Sequence, residues 1–428
     1  MTERSICILS LSAIADDPRV RRQGDAFADA GWQVTAVGLD GGASPAPAWP
    51  ILTPGTAAGG GQGNAASARQ IHARAMSERL PGALRSIARP LWRLALRVTR
   101  LPEYARLASF RVAPNGAADY YLRRAHIAPI HNAARDVKAA VYLANDWHML
   151  PVAMALAERH GGIVGYDTHE YALEEYGHRL AWKLTRVPLV RAVEGAGLAR
   201  ARVRTAVSAG IGADIARIYG LPEALQEIRN VPDRHDVPFR AVGSRCSILF
   251  HGILAPNRGI EACLESVPHW RPEFEFVLRG PGERSYLDLI EQTIDRLNIR
   301  DRVRLDPPVP MVELVARATE SDIGIVTLPP SSKHNLYALP NKFFEYVQAG
   351  LALIVSDLPD MRALVERHGF AVLTESLTPE AIAAAVNGLD AARIEALKRR
   401  SLEAARELNW DVERSRLVSL YENAVSRA

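Results

Sequence analysis

Twice along this chain, short apolar runs alternate with stretches of helical character, and that alternation narrows the possible folds more than any other feature. The first series has apolar runs at Ser5–Ser12, Val34–Val37, Ala139–Leu143 and Ile163–Tyr166, with short late strands expected at Arg204–Ser208 and Gln226–Arg229. The second has them at Ser247–Phe250, Phe274–Leu278, Val303–Leu305, Ile323–Val326 and Ala352–Val355. Strands separated by helices return in the same direction, so they build parallel sheets with helices on both faces. Pro18 is placed to open a helix that Gly31 ends, and Asn145-Asp146 to cap one running through Glu158. A long helix is expected from about Glu174 to Arg200, and a final one over Trp410–Ser426.

The chain has 428 residues, too many for one ordinary core, and 48% of them are hydrophobic, enough to fill two. Between the two series lies Val231–Pro238, where paired prolines and polar residues read as a linker. The expectation is an α/β protein with two Rossmann-like, doubly wound domains. They span 1–231 and 244–409, joined by a linker at 232–243, with a helix at 410–428 packing back on the first. Such sheets bind ligands outside the carboxyl ends of their strands, here in an interdomain cleft.

Composition excludes several classes. Cys7, Cys246 and Cys263 are far apart and odd in number, which argues against a disulfide framework or a zinc site and fits a reducing, cytoplasmic setting. No apolar run approaches the length of a spanning helix. Residues 41–66 are rich in Gly, Ala and Pro and read as a loop. A basic helical insert at about 68–125 then stands out. In it Arg85, Arg89, Arg93 and Arg97 recur four residues apart, beside Leu84, Ile87, Leu91, Leu94 and Val98. This pattern suits an interfacial helix on an anionic membrane and equally a pair of surface helices packed on the first domain. Without interleaved stacking aromatics, nucleic acid is not expected as a partner.

The stretch Ala338–Gly350 carries the most chemistry. Pro340 and Asn341 open a helix whose free N–H groups suit a phosphate, Lys342 adds a positive charge, and Glu345 lies one turn further in, where a carboxylate accepts hydrogen bonds from ribose hydroxyls. An ordinary amphipathic helix would also satisfy this pattern. His251-Gly252 ends one strand, and Arg258-Gly259 opens the next helix with a cation near its start. Arg279-Gly280-Pro281-Gly282-Glu283 follows another strand, its glycines allowing close backbone approach to a flat base.

The series HGIL…NRGIE, LRGPGE, SDIGIV and ALPNKFFEYVQAG, in that order, resembles the donor half of the family 4 glycosyltransferases, retaining enzymes of the GT-B fold. The first half resembles it too, through DDPRVRRQGDAFADAGWQVTAVG, NDWHMLPVA and GYDTHEYALEEY. The resemblance implies that Glu345 binds the ribose, that the turn Arg279–Glu283 lies beside the base, and that Arg258 holds the diphosphate. It implies that His169 faces the reacting carbon, with Glu170, His148, Arg19 and Arg22 as weaker acceptor-side candidates. Capping by Asp146, Asp167 and Glu170, and solvated helix charge at Arg19 and Arg22, are the structural alternatives. Two positions depart from the pattern. Ile253 stands where the family commonly has arginine, and Tyr337 where it often has a glutamate, leaving Asn335, Lys342 or backbone amides near Leu336 to contact the sugar.

The function implied is transfer of a sugar from a UDP- or GDP-sugar to a glycan or lipid-linked acceptor. It would serve bacterial cell-surface polysaccharide or glycolipid synthesis, at or near the inner face of the cytoplasmic membrane. Arg258, Lys342 and the helix start at Asn341 would stabilise the leaving diphosphate. No DxD clamp is present, so neither metal nor further cofactor is expected. A nucleotide-sugar epimerase, a phosphorylase or a non-catalytic nucleotide-sugar-binding module on the same fold are the alternatives; an epimerase would need no acceptor, and a binding module would show no turnover.

Overall fold

The computed structural model describes residues 4–42, 44–55, 101–174 and 179–427. The arginines at 85, 89, 93 and 97 fall outside the described residues. Two parallel sheets organise the chain. The first holds β1 (Ser5–Ala13), β2 (Gln33–Leu39), β3 (Ile51–Leu52), β4 (Val141–Asn145), β5 (Ile163–Thr168), β6 (Ala201–Ala206) and β7 (Gln226–Glu227), in the order β3-β2-β1-β4-β5-β6-β7. The second holds β8 (Cys246–His251), β9 (Phe274–Arg279), β10 (Val303–Asp306), β11 (Ile323–Val326), β12 (Ala352–Ser356) and β13 (Ala371–Thr374), in the order β10-β9-β8-β11-β12-β13. Each order reverses once, between β1 and β4 and between β8 and β11, and such a reversal is where a doubly wound sheet opens a ligand crevice at its strand ends.

The strands read as continuous apolar runs because both faces are covered. Every residue of β4, β5, β8, β11 and β12 is buried. In the second sheet Ile248, Phe250, Phe276 and Leu278 pack with Ile290 and Ile294 of the helix Arg284–Leu297 and with Ile382 and Val386 of the helix Pro379–Asn387. Full burial of each such side chain is worth roughly 1.5–3 kcal/mol. Asp322, just before β11, ties this core together. Its carboxylate accepts from Lys398 Nζ at 3.1 Å, from the Ser247 amide at 3.1 Å and from Arg240 at 2.7 Å.

Pro18 does open a helix, Pro18–Asp29, and Asp17 caps it by accepting from the amides of Arg19 and Val20. The final helix is Trp410–Ser426, anchored by Asn409 as its cap, by Arg229–Glu413 at 2.9 Å, and by Tyr421 set edge-on to Phe27. Three expectations need correction. Asp146 caps nothing with its side chain: it takes a positive φ of 60°, and a 3-10 turn, Trp147–Met149, separates it from the helix Leu150–His160. The long helix begins at Leu180, not near Glu174. β3 lies inside the stretch read as loop, because two residues are too few to show a period.

The chain divides into two compact units. One comprises Met1–Gly24, Gly31–Tyr166 and Tyr176–Arg202; the other comprises Asp25–Ala30, Asp167–Glu175 and Val203–Ala428. The loop after β5 therefore belongs with the second sheet. Among the described residues no helix is long and apolar enough to cross a membrane.

Candidate functional site

The site grows from the ends of β8 and β9, which run in register from Cys246 opposite Phe274 to His251 opposite Arg279. Their turns stay paired beyond the strands: the Gly252 amide donates to Arg279 O at 3.0 Å and the Leu254 amide to Pro281 O at 2.7 Å. Gly280 must be glycine, since its φ is 151° and a Cβ there would meet Gly252 O at 1.9 Å. Gly252 favours glycine for its φ of 111° alone, since a Cβ there would make ordinary contact with Lys342 Nζ at 3.7 Å.

Lys342 belongs to the helix Asn341–Gln348, capped by Pro340. Its ammonium sits over the Phe250 ring, 3.3 Å from the centroid, and the side chain is partly exposed. Burial first, and then the neighbouring charge of Arg258, push its pKa down to about 7 against the opposing effect of Glu345. Neither Lys342 nor Arg258 makes an ion pair or side-chain hydrogen bond among the described residues. The two like charges act on each other, with the Glu345 carboxylate as the nearby opposing charge. Arg258 precedes Gly259, which takes a positive φ before the short helix Ile260–Ser266.

Glu345 lies on the same helix as Lys342, and its carboxylate Oε2 is 2.7 Å from His251 Nε2. His251, which the sequence reading passed over, is 1% exposed and lies against Tyr346, whose hydroxyl accepts from the His251 amide. The signal for it was a histidine closing a strand that is otherwise apolar but for Ser247.

Other predicted residues are occupied. The Arg279 guanidinium turns into the fold, donating to Arg317 O at 2.9 Å and pairing with Asp306 and Glu320 at 3.0 and 3.1 Å. Glu283 is exposed at the start of the helix Arg284–Leu297, beside Gly282. The Asn335 side chain donates to Pro329 O and Ser331 Oγ, while the amides of Leu336, Tyr337 and Ala338 each donate to a carbonyl two to four residues back. Those amides are spent within their own turn. The Tyr337 ring packs on Gly210, where a Cβ would come within 2.2 Å of it, and Ile253 is 56% exposed. The Asn341 side chain is exposed and accepts from Asn230 at 3.1 Å.

The loop after β5 approaches this segment. His169 Nε2 is 2.8 Å from Asp167 Oδ2, and the other oxygen of that fully buried carboxylate accepts from Thr205 at 2.5 Å. Asp167 thus orients His169 rather than capping a helix. Glu170 pairs with His334 at 3.4 Å, whose Nδ1 accepts from the Tyr171 amide at 3.4 Å. Beyond it, Asp214 gathers Tyr171, Arg217 and Lys333, which hold its carboxyl below the usual range against the opposing effect of burial. His148 and Arg19 lie in the other unit. Burial pushes His148 down to about 4, leaving it neutral near pH 7 against Trp147. Arg19 is 3% exposed, so it is not a solvated helix charge, whereas Arg22 is partly exposed.

Residues 245–390 match the family described as glycosyl transferases group 1. No curated protein matches the chain by sequence. Among solved structures the chain is similar to sucrose-phosphate synthase from Thermosynechococcus elongatus, at 14% identity and a TM-score of 0.67, covering 99% of this chain and 100% of that one. It is also similar to HepE of Anabaena in complex with UDP-glucose, at 13% identity and a TM-score of 0.64, covering 98% and 99%. A third is an α,α-trehalose-phosphate synthase (UDP-forming) from Burkholderia vietnamiensis, at 15% identity and a TM-score of 0.59, covering 97% and 99%. With its paired sheets of one strand order, the chain has the GT-B fold, and its second sheet carries a glycosyl transferases group 1 domain.

Proposed function

We propose that the chain is a retaining glycosyltransferase of the family 4 type, moving a hexosyl group from a UDP- or GDP-sugar to a glycan or lipid-linked acceptor. The observation that carries this reading is the pair Arg258 and Lys342, two neighbouring cations with no acid in ion-pair contact among the described residues, with Glu345 one turn along the helix of Lys342. A nucleoside diphosphate supplies what the pair lacks, and its ribose supplies hydroxyls for the carboxylate. The solved complexes of Anabaena HepE with UDP and with UDP-glucose lend support.

In this reaction the acceptor oxygen bonds to the anomeric carbon as the bond from that carbon to the β-phosphate oxygen breaks, and the acceptor proton passes to the departing phosphate. Positive charge develops on the sugar and negative charge on the diphosphate. Arg258 and Lys342 stabilise the latter without reorganising, since they are already in place. His169, fixed by Asp167, serves the reacting carbon from the loop after β5. A role in cell-surface polysaccharide or glycolipid synthesis would bring the basic insert to an anionic membrane, where the acceptor resides.

Titration calorimetry with UDP and GDP, followed by a nucleotide-release screen of UDP- and GDP-sugars with lipid-linked and glycan acceptors, tests the proposal. It expects micromolar nucleotide binding and acceptor-dependent release. Failure of both nucleotides to bind overturns it.

A further inference from the structure

We infer that His251 is the positioning residue for Glu345, fixing the carboxylate in the orientation that receives ribose hydroxyls. This rests on the nucleotide reading of the site. The imidazole is almost wholly buried, and among the described residues its Nδ1 has no hydrogen-bond partner. Among those residues its one side-chain hydrogen bond runs from Nε2 to Glu345 Oε2, so the ring proton sits on Nε2 and is donated to the carboxylate. A buried ring that leaves one nitrogen unsatisfied forgoes free energy that an apolar side chain of the same shape would keep. Stability alone does not account for it.

The ring is itself immobilised. It lies 4.6 Å from the Tyr346 ring, and its own amide is bound to the Tyr346 hydroxyl at 2.7 Å. Its backbone continues the β8–β9 register, so the nitrogen that meets Glu345 is referenced to the sheet rather than to a loop. With Oε2 held, Oε1 is the oxygen left to the ligand, and the Glu345 side chain remains 14% exposed for that contact. A glutamate without this anchor would sample several rotamers, and ordering it would be charged against nucleotide affinity.

Two amide substitutions separate the ring nitrogens. His251→Gln places a donor near the position of Nε2, whereas His251→Asn reaches only that of Nδ1. Affinities of each variant are measured by calorimetry for the tighter of UDP and GDP and for its 2′,3′-dideoxy counterpart. The native chain should bind the dideoxy nucleotide at least tenfold more weakly. His251→Asn should narrow that ratio to about threefold or less by losing affinity for the hydroxylated ligand alone, and His251→Gln should restore most of it. His251→Phe gives the same narrowing as His251→Asn if the latter fails to fold. Full discrimination in His251→Asn or His251→Phe overturns the inference while leaving the nucleotide site standing. Absence of binding to either nucleotide by the native chain overturns both.

Discussion

Two lysines on helices packed against the second sheet keep opposite company. Lys398 is 3% exposed and meets Asp322 at 3.1 Å, with Arg240 on the same carboxylate. Lys342 lies over Phe250 beside Arg258, a second cation, and has no acid in ion-pair contact among the described residues. Burial pushes both ammonium groups below the usual lysine range, and for Lys398 the Asp322 carboxylate opposes that shift. The first arrangement is complete without a ligand. The second has no such partner among the described residues, and on the reading proposed above a diphosphate would supply it.

The sharpest way to break the comparison is to remove Asp322. Asp322→Ala strands Lys398 in the core and should cost about 3–5 kcal/mol, read as a large fall in the denaturant midpoint. Lys342→Ala, by contrast, should leave the midpoint unchanged or raise it. Equal losses in the two variants would erase the distinction. His169 is an intermediate case, partnered by Asp167 yet 18% exposed, and His169→Ala should cut turnover on the order of a hundredfold while nucleotide affinity holds. Steady-state kinetics beside calorimetry separates the two, and a collapse of donor affinity with turnover intact would misplace it.

Arg258→Ala and Glu345→Ala should each weaken nucleotide binding at least tenfold, since a hydrogen bond to a charged group is worth about 1.5–3 kcal/mol. The pH dependence then sharpens the claim for Lys342. Its pKa of about 7 in the free protein must rise when a diphosphate binds, so binding takes up a proton. Affinity should therefore fall as pH climbs above 7, by up to tenfold per unit until the bound-state pKa is passed. Calorimetry between pH 7 and 9 checks this, and Lys342→Arg should flatten the profile. The smallest effect concerns the basic insert: co-sedimentation with anionic liposomes should weaken on replacing Arg85, Arg89, Arg93 and Arg97 by glutamine, each contributing about 1 kcal/mol.

Much of this was legible in the sequence. The paired sheets follow from apolar runs recurring between helices, and Gly252, Arg258, Lys342 and Glu345 stood out as candidates because turn glycines and a helix start are local signals. What stayed hidden depends on distant segments meeting. The Glu345 partner is His251, from another strand, and no spacing rule links them. Arg279 looked available beside its glycines until Asp306 and Glu320 claimed it. Tyr337, a departure from the family pattern, has its own work in packing on Gly210. Asp146 was misread because Asp before a helix is commonly a cap, while here the backbone turns through a positive φ first.

The depressed pKa of Lys342 has a chemical consequence beyond binding. Near neutrality about half of its amines carry a free lone pair, and the side chain is partly open to solvent. An unprotonated amine is a nucleophile, so a mild acylating or aldehyde reagent at pH 7 should mark Lys342 ahead of Lys398, whose ammonium is shut in against Asp322. A diphosphate in the site would both cover the nitrogen and protonate it. Covalent labelling of one lysine, read by peptide mass, then becomes a gauge of site occupancy that requires neither a donor sugar nor an acceptor.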